Sequence, residues 1–184
     1  LSSNSSSAHD VVIAGNFIGT DVTGTTVLPP GTPGGGFCVR VEPGNFMSYT
    51  TNTTIGGPTA ADRNLISGCG QGGLIFPGYD LGLQPVGSGF VVQGNYIGTN
   101  AAGTGPVANG GAGVYINKAS TNTVGGPSAS AANLISGNLS GGVAVTNALS
   151  SGNIVQANKI VTTSTGTGPL ANGGLGGSER KDVV

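Results

Sequence analysis

The chain has 184 residues, a formal net charge of −1, 37 glycines and only 7 % charged residues; that length suits about one domain. The near-neutral charge, with no basic run longer than Arg180-Lys181, excludes nucleic-acid binding by phosphate neutralisation, and no apolar run approaches the length of a membrane-spanning helix, so no membrane insertion is expected. A hydrophobic share of 36 % argues against disorder, and glycine does not recur at every third position as collagen requires, which leaves many short strands joined by glycine-rich turns.

Residues 1–8 form a Ser-rich N-terminal segment that lacks an initiator Met and a signal peptide, as expected of a processed form or of part of a longer chain. The strand-like phrases begin with "VVIAG" at Val11 and "NFIGT" at Asn16, followed by "GTDVTGTTVL" from Gly19 and "GFCVRV" at Gly36. The last alternates, so Phe37, Val39 and Val41 are expected to point inward, and Cys38 and Arg40 outward. A long insertion spans Pro29 to Thr51. The next turn reads "NTTIGGPTAADRNLISG" from Asn52 and "GGLIF" at Gly72, and a second insertion spans Phe76 to Gly89.

The phrases then return. "FVVQG" at Phe90, "GNYIGTNAAGTGPV" from Gly94 and "GVYI" at Gly113 repeat the first set; "NTVGGPSASAANLISG" from Asn122 and "GGVAV" at Gly141 repeat the second. "NIVQA" at Asn153 and "ANKIVTTSTGTGPL" at Ala157 open a third copy of the first set. Val114, Ile116, Val143 and Val145 continue the inward row, with Tyr115 outward. Pro30, Pro58, Pro106, Pro127 and Pro169 fall in connections, where a missing N–H is tolerated. Strands this short cannot stand alone, so each turn must bury its Val, Ile or Leu against the turns above and below, the logic of a solenoid.

The residues that open "N-x-I" in successive turns, Asn16, Asn64, Asn95, Asn133 and Asn158, are expected at one position of each coil. Strands stack about 4.8 Å apart, so an amide there can donate to one neighbouring coil and accept from the other, forming an asparagine ladder. Thr20, Thr99 and Thr162 also align, but Gly68 and Gly137 interrupt the row at every second coil. Ordinary strand threonines are therefore the stronger reading than an ice- or sugar-binding array.

"GNYIGTNAAGT", "NTVGGPSASAANLISGN" and "GGVAV" resemble the right-handed parallel β-helix repeats of large bacterial secreted and cell-surface proteins, over about Ala8 to Gly174. The resemblance implies an all-β, right-handed parallel β-helix (β-solenoid) of about five coils, each with three short strands and loops of variable length. The solenoid domain is placed at residues 9–176, and residues 177–184 are a charged C-terminal segment, either a polar stop or a tail. The same architecture hosts pectate-lyase-like enzymes, tailspikes, adhesins and passive stalks, so it does not decide the activity.

Candidate chemistry is sparse. The carboxylates are Asp10, Asp21, Glu42, Asp62, Asp80, Glu179 and Asp182; a cluster of Asp21, Arg40 and Glu42 in the first coil is conceivable, with solvated surface charge as the stronger reading. His9 stands beside Asp10, and one His with two Cys gives no case for a metal site. Cys38 and Cys69 read first as two free, half-buried thiols, and second as one disulfide between neighbouring layers. No cofactor is expected.

Two functions remain. The leading one is a non-enzymatic extracellular structural module: a rigid rod, adhesin stalk or filament subunit that docks head-to-tail on copies of itself. The other is a carbohydrate-binding or carbohydrate-active protein. There the 29–51 and 76–89 loops wall a groove, and Arg40, Glu42, Phe46, Tyr49 and Tyr79 contact cell-surface or environmental glycans.

Overall fold

A computed structural model describes residues 8–28, 35–42, 50–77 and 87–174. The chain winds as a parallel β-helix. Its strands are two to five residues long and assemble only across coils, into four sheets in which every strand pair is parallel. The first sheet stacks Ala8–His9, Thr50–Thr51, Gly87–Ser88 and Ala119–Ser120. The second stacks Val12–Ile13, Thr54–Gly56, Val91–Gln93, Thr123–Gly125 and Ile154–Gln156. The third stacks Phe17–Ile18, Leu65–Ile66, Tyr96–Ile97, Leu134–Ile135 and Lys159–Ile160. The fourth stacks Phe37–Arg40, Gly72–Phe76, Val114–Asn117 and Val143–Thr146.

Three strands per coil therefore become four. The additional strand is a two-residue pair, Ala8-His9 in the first coil and Thr, Gly, Ala or Ser in the others, too short and too weakly apolar to read as a strand. A residue in the left-handed region separates it from the next strand in each coil where both are paired: Asp10, Asn52, Gly89 and Thr121. That residue turns the chain by a corner, and Asn, Asp and Gly tolerate the conformation best.

Register puts like on like. Ile13, Ile55, Val92, Val124 and Val155 form one inward column, and Ile18, Ile66, Ile97, Ile135 and Ile160 another. Val39, Leu74, Val114 and Val143 complete the wall on the fourth sheet. The middle coils bury these side chains completely, and the outer coils in part. Each fully buried aliphatic contributes about 1.5–3 kcal/mol, and no coil gains this without a neighbour. Phe76 and Phe90 fill the remaining corner, with ring centroids 4.6 Å apart.

The alternation expected over Phe37–Val41 fails at its start. Cys38 packs against the core beside Val39, while Phe37 swings out and stacks on Tyr115, two coils away. The reason lies in the glycines of the same column. Side chains at Gly73, Gly113 and Gly142 would point at Ile97, Ile135 and Ile160 of the core, so two consecutive positions face inward there and glycine supplies the space. Val145 pairs with Ile116 as expected, but it is 43 % exposed because it sits in the fourth strand of the last stacked coil of that sheet.

Two kinds of coil alternate. In the first, third and fifth, a short corner joins the second and third sheets, and a tab follows the third. The tabs are closed by the antiparallel bridges Thr20–Val27, Thr99–Pro106 and Thr162–Pro169. In the second and fourth coils the corner is long, residues 57–63 and 126–132, and no tab follows. The tabs stack directly on one another, skipping a coil: Ala101 N–H donates to Gly24 O, and Ser164 N–H to Gly103 O. They roof the outer face of the third sheet, so Leu65 and Leu134 are buried although they face away from the core.

Candidate functional site

The five predicted ladder asparagines lie in one column on the corner before the third sheet. Asn64 Oδ1 accepts from both the backbone N–H and the Nδ2 of Asn16, at 3.0 and 3.1 Å. Asn95 Oδ1 does the same for Asn64, at 3.2 and 2.9 Å, and Asn133 Oδ1 for Asn95, at 3.0 and 3.1 Å. Asn158 Oδ1 does so for Asn133, at 3.2 and 2.9 Å. Each Nδ2 from Asn64 onward also reaches back to a carbonyl of the preceding coil: Ile13, Ile55, Val92 or Val124. These amides bond along the coil axis, and those of Asn64, Asn95 and Asn133 are fully buried.

Two further columns exist. Asn109, Asn138 and Asn172 stack before the fourth sheet: Asn109 Nδ2 donates to Asn138 Oδ1 at 2.9 Å, and Asn138 Nδ2 to Asn172 Oδ1 at 3.0 Å. Asn122 and Asn153 stack before the second sheet, with Nδ2 to Oδ1 at 2.8 Å. The shared "ANGG" of Ala108 and Ala171 was the sequence signal for the first of these. Asn138, the asparagine of an N-x-[ST] match, is buried in this column.

Cys38 and Cys69 are joined in a disulfide that ties the first coil to the second, with Cα atoms 5.4 Å apart. The expectation of two free thiols is thereby corrected. The broken alternation at Phe37 explains it: turning Phe37 out turns Cys38 in, toward Cys69. Cys69 itself occupies the place of an asparagine in the second column, and its N–H donates to Asn109 Oδ1 at 3.0 Å.

The other candidates are dispersed. Arg40 and Glu42 form an ion pair at 2.6 Å on the rim of the fourth sheet, with half of the arginine side chain exposed, a setting in which pairing contributes little. Asp21 is engaged within its own tab: Thr23 Oγ1 donates to Oδ2 at 2.8 Å, and the N–H groups of Thr25 and Thr26 donate to Oδ1. These bonds, the Thr23 hydroxyl first, hold its carboxyl below the usual aspartate range. Asp62 caps its loop through Thr59, and His9 pairs with Asp10. Thr20 and Thr99 are buried where the tabs close, so they present no flat outer row. Phe46, Tyr49 and Tyr79, with most of both proposed groove loops, lie outside the described residues. Among the described residues no three His, Cys, Asp or Glu side chains cluster as metal ligands, and no helix is long and apolar enough to cross a membrane.

A concavity lies on the side of the solenoid. The third coil has a short corner at Gly94, between the long corners 57–63 and 126–132 of its neighbours. The gap is a surface groove of about 270 Å³, floored by Tyr96 and flanked by Arg63 and Lys159. Arg63 lies flat over Tyr96, with its guanidinium carbon 4.2 Å from the ring centroid, and its Nε donates to Gly94 O at 3.2 Å.

No protein-family model matches the chain, and neither the curated proteins nor the solved structures contain a match to it.

Proposed function

We propose that the protein is an extracellular structural module: a β-solenoid segment that stacks end to end into a rigid rod, as a stalk or filament subunit. The observation that carries this reading is the use made of the aligned asparagines. Their amides bond to the coil above and the coil below, so their hydrogen-bonding capacity is used within the fold. The disulfide between coils supports an oxidising, extracellular setting. Kinship with bacterial secreted and cell-surface β-helix repeats, rather than with a pectate-lyase-like enzyme, belongs to the same proposal and rests on the repeat phrases quoted above.

The main column also has a direction. Each asparagine from Asn16 to Asn133 donates its N–H and Nδ2 to the Oδ1 of the next one along, so the column ends with Asn16 Oδ1 on one side and Asn158 N–H on the other. Head-to-tail docking of two copies would continue it in the same sense. Such a contact is heterologous and propagates into a fibre rather than closing. Five coils at about 4.8 Å advance only about 24 Å along the axis, so a rod requires repetition.

Electron microscopy of the concentrated protein tests this. The expected result is rods with an axial subunit repeat of roughly 24 Å. Particles that remain single at millimolar concentration would overturn the proposal.

A further inference from the structure

We propose that the groove over the third coil binds an acidic oligosaccharide, gripped by Arg63 at one end and Lys159 at the other. This inference is independent of the structural role, because the groove lies on the side of the solenoid and not on its coil ends.

The groove follows from the alternation of coil types. A long corner at Gly94 would fill it; the short one leaves Tyr96, with Arg63 laid over its ring, between two projecting loops. Into this gap comes a prepared cation. Arg63 is pinned by the face of Tyr96 and by its Nε bond to Gly94 O. Both Nη groups are left without a protein acceptor among the described residues. A guanidinium held this way offers a planar fork at little conformational cost, and that fork matches a carboxylate or a sulfate. In the equivalent loop of the fourth coil, Arg63 has an uncharged counterpart, so the cation belongs to this groove alone.

The second cation is set by register. Tyr96, Leu134 and Lys159 are successive residues of one outward column. Lys159 is therefore two strand spacings from Tyr96, about 10 Å. Among the described residues no carboxylate lines the groove; Asp62, the adjacent acid, is turned into its own loop by Thr59. Hydroxyls of Thr59 and Ser130 stand on the rim, and Pro58, Ala60 and Ala129 give it apolar walls. A cation over Tyr96, a second two strand spacings further on whose Nζ donates to Ser164 O, a hydroxylated rim and apolar walls match a short sugar chain. Its ring C–H faces lie against Pro58, Ala60 and Ala129, and it carries one anionic group at each end. Tyr96 acts here as a positioning residue, through Arg63.

The test is an NMR titration of the ¹⁵N-labelled protein with three tetrasaccharides: a hexuronic acid chain, a sulfated hexose chain and a neutral hexose chain. Shifts confined to Arg63 Nε and the amides of Gly94, Tyr96 and Leu134 are expected with one or both acidic chains, and not with the neutral one. Which acidic chain binds identifies the anion as carboxylate or sulfate. Arg63→Ala and Arg63→Lys should each weaken binding about tenfold, the latter because an ammonium lacks the fork. Lys159→Ala should weaken it several-fold. Tyr96→Phe should retain binding while Tyr96→Ala loses it, with melting temperatures recorded for every variant to exclude unfolding. The proposal is overturned if neither acidic chain shifts these signals at millimolar concentration, if the neutral chain binds equally well, or if a folded Arg63→Ala protein binds unchanged.

Discussion

The backbone N–H of Cys69 donates to Asn109 Oδ1 at 3.0 Å, the same bond that Asn138 N–H makes to Asn172 Oδ1 at 3.0 Å two coils further on. Cys69 thus stands in an asparagine column and replaces the amide link to the preceding coil by a covalent one, to Cys38. In the asparagines of this column, Nδ2 reaches a carbonyl of the preceding coil: Ile66 O from Asn109, Ile97 O from Asn138 and Ile135 O from Asn172.

Removing the disulfide should therefore be costly but partly reparable. The bridge closes a separation of 31 residues, for which chain entropy suggests about 3–4 kcal/mol. That corresponds to a fall in melting temperature of order 10 °C for a chain this size. In the Cys38→Ala background, Cys69→Asn should melt several degrees higher than Cys69→Ala, because its amide can reach Ile18 O and Asn109 Oδ1. Calorimetry of the two double variants decides this; equal melting temperatures would mean that Cys69 is not in a ladder position.

Asn95→Ala removes a fully buried amide from the centre of the main column. The Nδ2 and N–H of Asn64 lose their acceptor, and the carbonyl of Ile55 and the Oδ1 of Asn133 each lose a donor. Each buried group left unpaired costs about 1–3 kcal/mol, so a drop of roughly 5–10 °C is expected. Asn16→Ala, at an exposed end of the column, should cost no more than 2–3 °C, since about 1 kcal/mol is at stake. Thermal unfolding followed by circular dichroism separates the two, and an equal loss would contradict a column whose strength lies in its buried middle.

The parallel solenoid and its main asparagine column were legible because "N-x-I" recurs with the Asn and the inward Ile always two residues apart. The other two columns were not, because chemistry changes along them: Cys69 and Phe90 hold positions that Asn109 and Asn122 hold later. The disulfide was hidden by a strand that breaks its alternation at Phe37, a consequence of Gly73 and Gly113 in the neighbouring coils. The fourth strand was invisible for want of apolar residues. The groove depends on Arg63, Tyr96 and Lys159 meeting from three different coils, and only the coil register brings them together.

Tabs stacked over every second coil give the residue after the ladder asparagine two different fates. Leu134 is roofed by the tab at Gly103, whereas Lys159 is exposed. Leu134→Ala should destabilise by about 2–4 kcal/mol, as a buried leucine does, and Leu134→Lys by at least as much. Lys159→Leu should change stability by less than about 0.5 kcal/mol. Urea unfolding of the three variants checks the asymmetry. A well-tolerated Leu134→Lys would show that the tabs do not close over the third sheet.

Asp21 opens its tab as Asn100 opens the next: both accept, through Oδ1, an N–H four residues ahead, from Thr25 and Thr104 respectively. The Thr23 hydroxyl and the Thr25 N–H favour the ionised form and lower the pKa of Asp21. A depressed carboxyl contributes its stabilisation above the unfolded-state pKa and loses it as pH falls through the folded value. The tab should therefore stay closed at neutral pH and loosen only on strong acidification. Because the hydrogen bonds to the Asp21 carboxylate all come from its own tab, the effect should be confined to the tab. A carbon-detected NMR titration should place the Asp21 midpoint below that of an aspartate in an unstructured peptide, with the Thr25 and Thr26 amide signals moving in step. Asp21→Asn keeps the Oδ1 acceptor, as Asn100 shows, so it should leave the melting temperature unchanged while abolishing that acid transition. A tab that opens at neutral pH in this variant would mean that charge, rather than hydrogen-bond geometry, holds it closed.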